Sequence, residues 1–452
     1  MTPNQPAGEK APRTNDIRTT TQRAKAHAAK AQDSKAQPPG KAQPTAAEPA
    51  KAQTSKARPP GKIQPAAAEP VAAEPAAAEP AAAEPAAAET RIRVGSVAGF
   101  LAVVPHLLGF HPARSMVVVG LNQRRGRIVL GFRYDLPDPP DAAKSRDIAQ
   151  HAASVLTQRR VKIAIAAGYG PGTLVTPVAE ALRVALLGAG ITLHDLLRVQ
   201  DGRYWSYACQ DPRCCPPDGV PFDGPAHPAA AALAAAGITA RPDRATLAGS
   251  LAPVTGPAAE AMARATVRAL RRAGKLAAAA AGPAEAQQLI IEAGRAAVRE
   301  AIRTYRGGGE VTDHDELAWL AVSLADLPVR DDAWARMEPG FRAAHLRLWT
   351  DVVRHAREPF VPAPASLLAF TAWQSGEGAL ANIAIERALA ADAEYSMAHL
   401  IGQAVDAGLP PSAARLPMTP EEVEASYAET GRAGRPSARR SAAKRASRRP
   451  SG

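Results

Sequence analysis

Large apolar side chains are nearly missing from the first 90 of 452 residues, and this decides where the chain can fold. After Met1, that stretch offers only Ile17, Ile63 and Val71, and its last part, residues 66–89, repeats Ala-Ala-Ala-Glu-Pro with a single Val71 variant. A segment with so little apolar area to bury cannot offset the conformational entropy lost on ordering. Each proline also removes a backbone donor and pushes the preceding glutamate towards extended geometry. The repeat therefore reads as a semi-rigid, solvated spacer, with replication slippage in a GC-rich gene as its plain origin. Residues 431–452 hold no large apolar group either. The expectation is a disordered tail over 1–90, a mixed α/β domain over 91–225, a helical domain over 226–414 and a disordered basic tail over 415–452.

The net charge of +12 has a definite address. Residues 1–90 carry 12 basic and 9 acidic groups, and residues 431–452 carry 8 and none, which leaves the middle at about +1. A near-neutral middle lacks the broad positive field of a dedicated nucleic-acid-binding fold. Attraction to polyanions is expected from the C-terminal tail, through Arg432, Arg435, Arg439, Arg440, Lys444, Arg445, Arg448 and Arg449. Gly434-Arg435-Pro436 loosely resembles the core of a minor-groove AT-hook. The competing reading is a solvated tail that confers solubility.

Three cysteines within seven residues, Cys209, Cys214 and Cys215, do not make a disulfide framework. They fit a reducing compartment, so a cytoplasmic location is expected. The polar N-terminus argues against a signal peptide. The longest apolar stretch, 97–110, is interrupted by Pro105, His106 and Gly109, and it is shorter than the roughly 18 residues of a membrane span.

Local patterns outline the α/β part. Ser96 can cap a helix in which Val97, Phe100, Leu101, Val104 and Leu108 recur at helical spacing, with Gly109 as its left-handed end. Residues 115–121 form a continuous apolar run, the mark of a buried strand. A second strand over 127–134, a helix over 141–159, a strand over 161–167 and a helix over 175–187 follow. Residues 191–200 and 203–207 pair around the turn Asp201-Gly202. The order predicts a mixed sheet packed by helices. From residue 226 strand signals give way to alanine-rich helices in which Trp319, Trp334, Trp349 and Trp373 are expected core anchors. Thr312 with Asp315 resembles a capping box. Asp326, Asp331 and Asp332 read as caps for a helix near Trp334 rather than as a metal cluster. Residues 384–402 resemble part of a tetratricopeptide repeat, and a single helical hairpin is the expected outcome.

Two loops carry the chemistry worth testing. Cys209, Cys214 and Cys215, with His194 or His227, can supply a zinc ion with four ligands. Against that, adjacent cysteines chelate one ion poorly, and Pro212, Pro216 and Pro217 suggest a rigid loop in which the thiols are small apolar fillers. The turn Gly168-Tyr169-Gly170-Pro171-Gly172 follows a strand and precedes a helix, where α/β folds bind phosphates. It lacks the P-loop Lys-Ser/Thr pair and the G-x-G-x-x-G spacing, so a tight connecting turn is the simpler reading. Gly109, Phe110, Gly168, Tyr169, Gly170, Asp201 and Arg203 are the candidate rim of a ligand pocket. His106 and His111 have no triad-like context.

Val104-Pro-His-Leu-Leu-Gly-Phe-His-Pro-Ala-Arg-Ser-Met-Val-Val-Val-Gly120 and Arg198-Val-Gln-Asp-Gly-Arg-Tyr-Trp-Ser-Tyr-Ala-Cys-Gln-Asp-Pro-Arg-Cys-Cys-Pro-Pro-Asp-Gly219 resemble the domain-of-unknown-function family 4192 of high-GC Gram-positive bacteria. Residues 324–331 and 379–408 are also similar to it, so the resemblance spans roughly 91–414. Asp218 stands where Glu is expected, and Tyr204 where Trp is common. The family has no assigned activity, so the resemblance carries no catalytic residue to this chain.

Three functions stay open. The first, favoured because no acid, base and nucleophile converge, is a non-catalytic binding or regulatory module contacting a protein or small ligand. The second is an enzyme with an α/β pocket. The third is a DNA-associated factor acting through its basic tails. No cofactor is predicted beyond the zinc option.

Overall fold

The computed structural model describes residues 95–122, 126–413 and 419–433. The expectations for residues 1–90 and for the basic residues beyond 433 lie outside this range. Among the described residues, six strands form one sheet in the order β2-β1-β3-β4-β5-β6.

The first helix, α1 (Val97–Leu108), starts where the Ser96 hydroxyl accepts the Gly99 amide, and it ends at Gly109 with φ 78°. Strand β1 (Ser115–Leu121) pairs antiparallel with β2 (Ile128–Asp135) on one side and β3 (Ile163–Tyr169) on the other. Its unbroken apolar run has a simple cause, since both faces are covered. Met116 and Val118 point to one core, Val117 and Val119 to the other. The first core is closed by α2 (Ala142–Gln158) and α3 (Gly172–Gly188), through Ala152, Leu156, Val175, Val178 and Leu182. The second is closed by α1 through Phe100, Leu101 and Val104. Asp141 caps α2 by accepting the Ala143 and Lys144 amides. Helix α3 begins three residues earlier than its apolar pattern predicts, directly at the glycine turn.

The connection through α3 makes β4 (Thr192–Gln200) parallel to β3. Strands β5 (Arg203–Ser206) and β6 (Val220–Pro221) then extend the sheet antiparallel. The two-residue β6 has no sequence signature. It matters because it returns the chain to the sheet after the cysteine loop.

Beyond β6 the described residues form helices. After α4 (Pro228–Ala235) and α5 (Arg244–Gly249) come α6 (Gly256–Ala278), α7 (Pro283–Arg306), α8 (His314–Ser323) and α9 (Leu327–Ala335). They are followed by α10 (Arg342–His355), α11 (Pro362–Gln374), α12 (Gly378–Ala391), α13 (Ser396–Asp406) and α14 (Pro420–Ala433). Trp319, Trp349 and Trp373 are buried in one apolar core, and Trp334 packs against it. Residues 378–406 form the helical hairpin expected from the repeat-like pattern.

Three local expectations need correction. Asp313, not Thr312, caps α8, because its carboxylate reaches the Asp315 amide. Of the aspartates 326, 331 and 332, only Asp326 stands at a helix N-cap, that of α9, and its side chain makes no cap bond. Helix α9 already starts at Leu327, so Asp331 and Asp332 lie inside it, paired with Arg330 and Arg336. Finally, part of the expected C-terminal tail is a helix. In α14, Thr419 and Glu422 form a reciprocal capping box, Val423 is buried, and the Tyr427 hydroxyl donates to Asp331 at 2.5 Å. Val423 and Tyr427, four residues apart, hold it in place together with the Arg295–Glu424 ion pair.

Candidate functional site

The cysteine loop, residues 207–219, leaves the sheet at β5 and rejoins it at β6. Its ends are braced by residues that are not cysteines. The Ser206 hydroxyl donates to Asp195 on β4 at 2.6 Å and accepts the Ala208 and Cys209 amides. Arg203 donates to the Asp218 and Gly219 carbonyls, the latter at 2.9 Å. The Trp205 indole donates to the Pro217 carbonyl at 2.8 Å, and the Arg198 guanidinium stacks on the ring at 3.6 Å. Gly219 has φ 78°, and a Cβ there would sit 2.5 Å from the indole. Only glycine fits this combination of left-handed backbone and close ring contact.

Within the loop, Asp211 organises a turn. Its carboxylate accepts the Arg213 amide, and its carbonyl accepts the Cys214 and Cys215 amides. This turn carries Cys214 and Cys215 back over Cys209. The sulfurs of Cys209 and Cys214 lie 2.8 Å apart, and those of Cys214 and Cys215 lie 3.6 Å apart. All three lie within 4.8 Å of one another. Hydrogen bonds from Cys214 and Cys215 hold the Cys209 thiol below the usual range, while bonding to Cys209 pushes Cys214 up to about 12.

The filler reading of the cysteines fails on exposure. Cys214 is exposed, and Cys209 and Cys215 are half-buried. The objection to adjacent cysteines also weakens. Two thiolates bound to one zinc ion lie about 3.8 Å apart, given Zn–S bonds of about 2.3 Å, and Cys214 and Cys215 are already at 3.6 Å. Cys209 and Cys214 need to part by about 1 Å, a small movement for an exposed turn. Among the described residues no His, Asp or Glu joins this ligand group. His227 instead caps α4, accepting the Ala229 amide. The arrangement thus offers soft thiolate donors of the kind suited to zinc or other thiophilic ions.

The remaining candidate residues have structural partners of their own. The Gly109 carbonyl accepts the Arg241 amide and the His111 amide donates to the Arg241 carbonyl, and Phe110 between them is buried. Gly168 packs on Met116 and Val175, with no room for a side chain. Gly170 donates to the Val199 carbonyl. Tyr169 lies in the core beneath α1, where burial raises its pKa and its hydroxyl has no partner among the described residues. Asp201 holds the hairpin turn at φ 50°. Of the expected rim, only Arg203 reaches the cysteine loop. Two concavities lie elsewhere, one between α2 and α3 and one at the end of β1. Arg432 falls in the last turn of α14, and Arg435, Arg439, Arg440, Lys444, Arg445, Arg448 and Arg449 lie outside the described residues.

Sequence reasoning missed Trp205, Ser206, Asp195 and Gly219 as the supports of the thiols. The one available signal was Pro216-Pro217-Asp218-Gly219, a turn signature placed directly after the cysteines.

A mixed sheet bearing a braced thiol loop, continued by a helical bundle, defines the class of this protein. The chain belongs to the family described as domain of unknown function DUF4192, whose model matches residues 98–412. Helix α14 lies beyond the matched range. No curated protein and no solved structure matches the chain. Among the described residues no helix is long and apolar enough to cross a membrane.

Proposed function

We propose that this protein is a non-catalytic binding module, in which Cys209, Cys214 and Cys215 hold a thiophilic cation such as Zn2+. The fourth coordination position is filled from outside, by a small ligand or a side chain of a partner protein. The observation that carries the reading is the convergence of three sulfurs within 4.8 Å on an exposed loop. The loop is fixed by Trp205, Arg203 and Ser206, so its shape does not depend on the thiols. A structural zinc site has four protein ligands, whereas three ligands and an open position suit exchange with an external group. The reading requires a reducing compartment, such as the cytoplasm, that keeps the thiols free.

The test is titration of the reduced full-length chain with Co2+, read by the thiolate-to-cobalt charge-transfer band, followed by displacement with Zn2+. The expected result is one ion per chain, with the band lost in Cys214→Ser and in Cys209→Ser. Absence of the band in the wild type, or an unchanged band in the variants, overturns the proposal.

A further inference from the structure

A second group of charged side chains gathers where β1 ends, β2 begins and α2 passes into β3. Here a cavity of about 300 Å3 has an apolar wall of Leu121, Val129 and Val161 and a basic wall of Arg159, Arg160 and Lys162. The middle of the chain is nearly neutral as a whole, and that average hides this local concentration. Elsewhere cations are commonly neutralised, as in Arg244–Glu386, Arg268–Asp315 and Arg306–Glu338. Arg159, Arg160 and Lys162 form no ion pair and no side-chain hydrogen bond with the described residues. Three cations with no paired anion among the described residues repel one another, and a bound anion relieves that repulsion.

The backbone supplies an independent observation. Arg160 lies in the left-handed region, at φ 54°. Its amide donates to the Thr157 carbonyl, and the Val161 amide donates to the Leu156 carbonyl, both at 2.9 Å. This is the closing motif of a helix, whose left-handed position is ordinarily filled by glycine. An arginine there is strained. Glycine would hold this position at less cost, and the Arg160 side chain lines the cleft. The C-terminal dipole of α2 accommodates a nearby cation, but it does not account for choosing the strained position or for Lys162.

We propose that this cleft binds a small soluble ligand carrying clustered phosphate groups, with the apolar wall against the rest of the ligand. The cavity is at the lower end of the small-molecule range, about 300–1,000 Å3, which suits one compact ligand. The site is separate from the cysteine loop, and it stands whether or not that loop binds a metal.

The test is isothermal titration of the full chain with inorganic triphosphate at near-physiological salt, with hydrogen exchange to locate the site. The variants are Arg160→Gly and Lys162→Ala. Arg160→Gly removes a cation and relieves the backbone at once, so its melting temperature is expected to hold or rise. Its affinity is expected to fall about tenfold or more, the usual size of one lost charge-assisted contact. Lys162→Ala is expected to weaken binding similarly. The basic C-terminal tail is present in every protein compared, so protection of segment 156–163 in hydrogen exchange separates binding at the cleft from binding at the tail. Equal affinity in all three proteins, or ligand protection confined to segments other than 156–163, overturns the proposal.

Discussion

Gly219→Ala probes the link between the brace and the thiols without touching a sulfur. The new methyl would meet the Trp205 indole at 2.5, 2.7 and 3.0 Å, on a backbone at φ 78°. The left-handed conformation costs an ordinary residue roughly 1–2 kcal/mol, and overpacking adds about 1–3 kcal/mol. The ring cannot retreat freely. Moving it weakens the bond to Pro217 and the stacking of Arg198, together about 1–2 kcal/mol. The cost therefore matches or exceeds what holds the loop down, and residues 207–219 should open locally while the sheet stays folded. Because apparent affinity scales with the competent fraction, Co2+ binding should weaken about tenfold or more. Hydrogen exchange across 207–219 should rise, and the sheet strands should stay protected. Full retention of Co2+ affinity alongside raised exchange would refute the claim that the brace positions the sulfurs.

Three further substitutions test the surrounding fold. Gly168→Ala places a methyl 2.3 Å from Val175 in the core under α3; about 2–3 kcal/mol of stability should be lost in urea unfolding, and an unchanged midpoint would contradict the packing. Burial, followed by the nearby Arg306 charge, holds His345 down to about 4. Below pH 6.5 the unfolded chain takes up a proton that the fold refuses, so stability falls as pH drops from 6.5 towards 4. The loss from this group between pH 7 and 5 should be about 2 kcal/mol, and His345→Leu should flatten that part of the profile. Tyr427→Phe removes the hydrogen bond to Asp331 and should destabilise the packing of α14 by about 1–2 kcal/mol, read as faster exchange in residues 420–433.

The α/β half was largely legible because its signals are local. The run 115–121 is apolar on both faces, Ser96 and Asp141 are cap residues, and Asp201-Gly202 is a hairpin turn. What was not legible depends on contacts distant in sequence. Strand β6 exists only because Tyr204 and Arg203 offer it an edge. The C-terminal helix had local signals, the Thr419–Glu422 capping box and helix-favouring Glu and Ala, but its docking depends on Tyr427 finding Asp331, 96 residues earlier in the chain. The cysteines were visible as a cluster, but their mutual approach was not, since it depends on the Asp211 turn and on a tryptophan from the neighbouring strand. The basic cleft joins α2, β1 and β2, and a charge count along the chain averages it away.

Under the proposed function, Cys209, Cys214 and Cys215 share one ion and leave a place for an external ligand. X-ray absorption at the zinc edge, on the full chain loaded with one equivalent of Zn2+, tests this directly. Three sulfur neighbours at about 2.3 Å and one lighter oxygen or nitrogen neighbour are expected. A shell of two sulfurs or fewer would contradict the proposal.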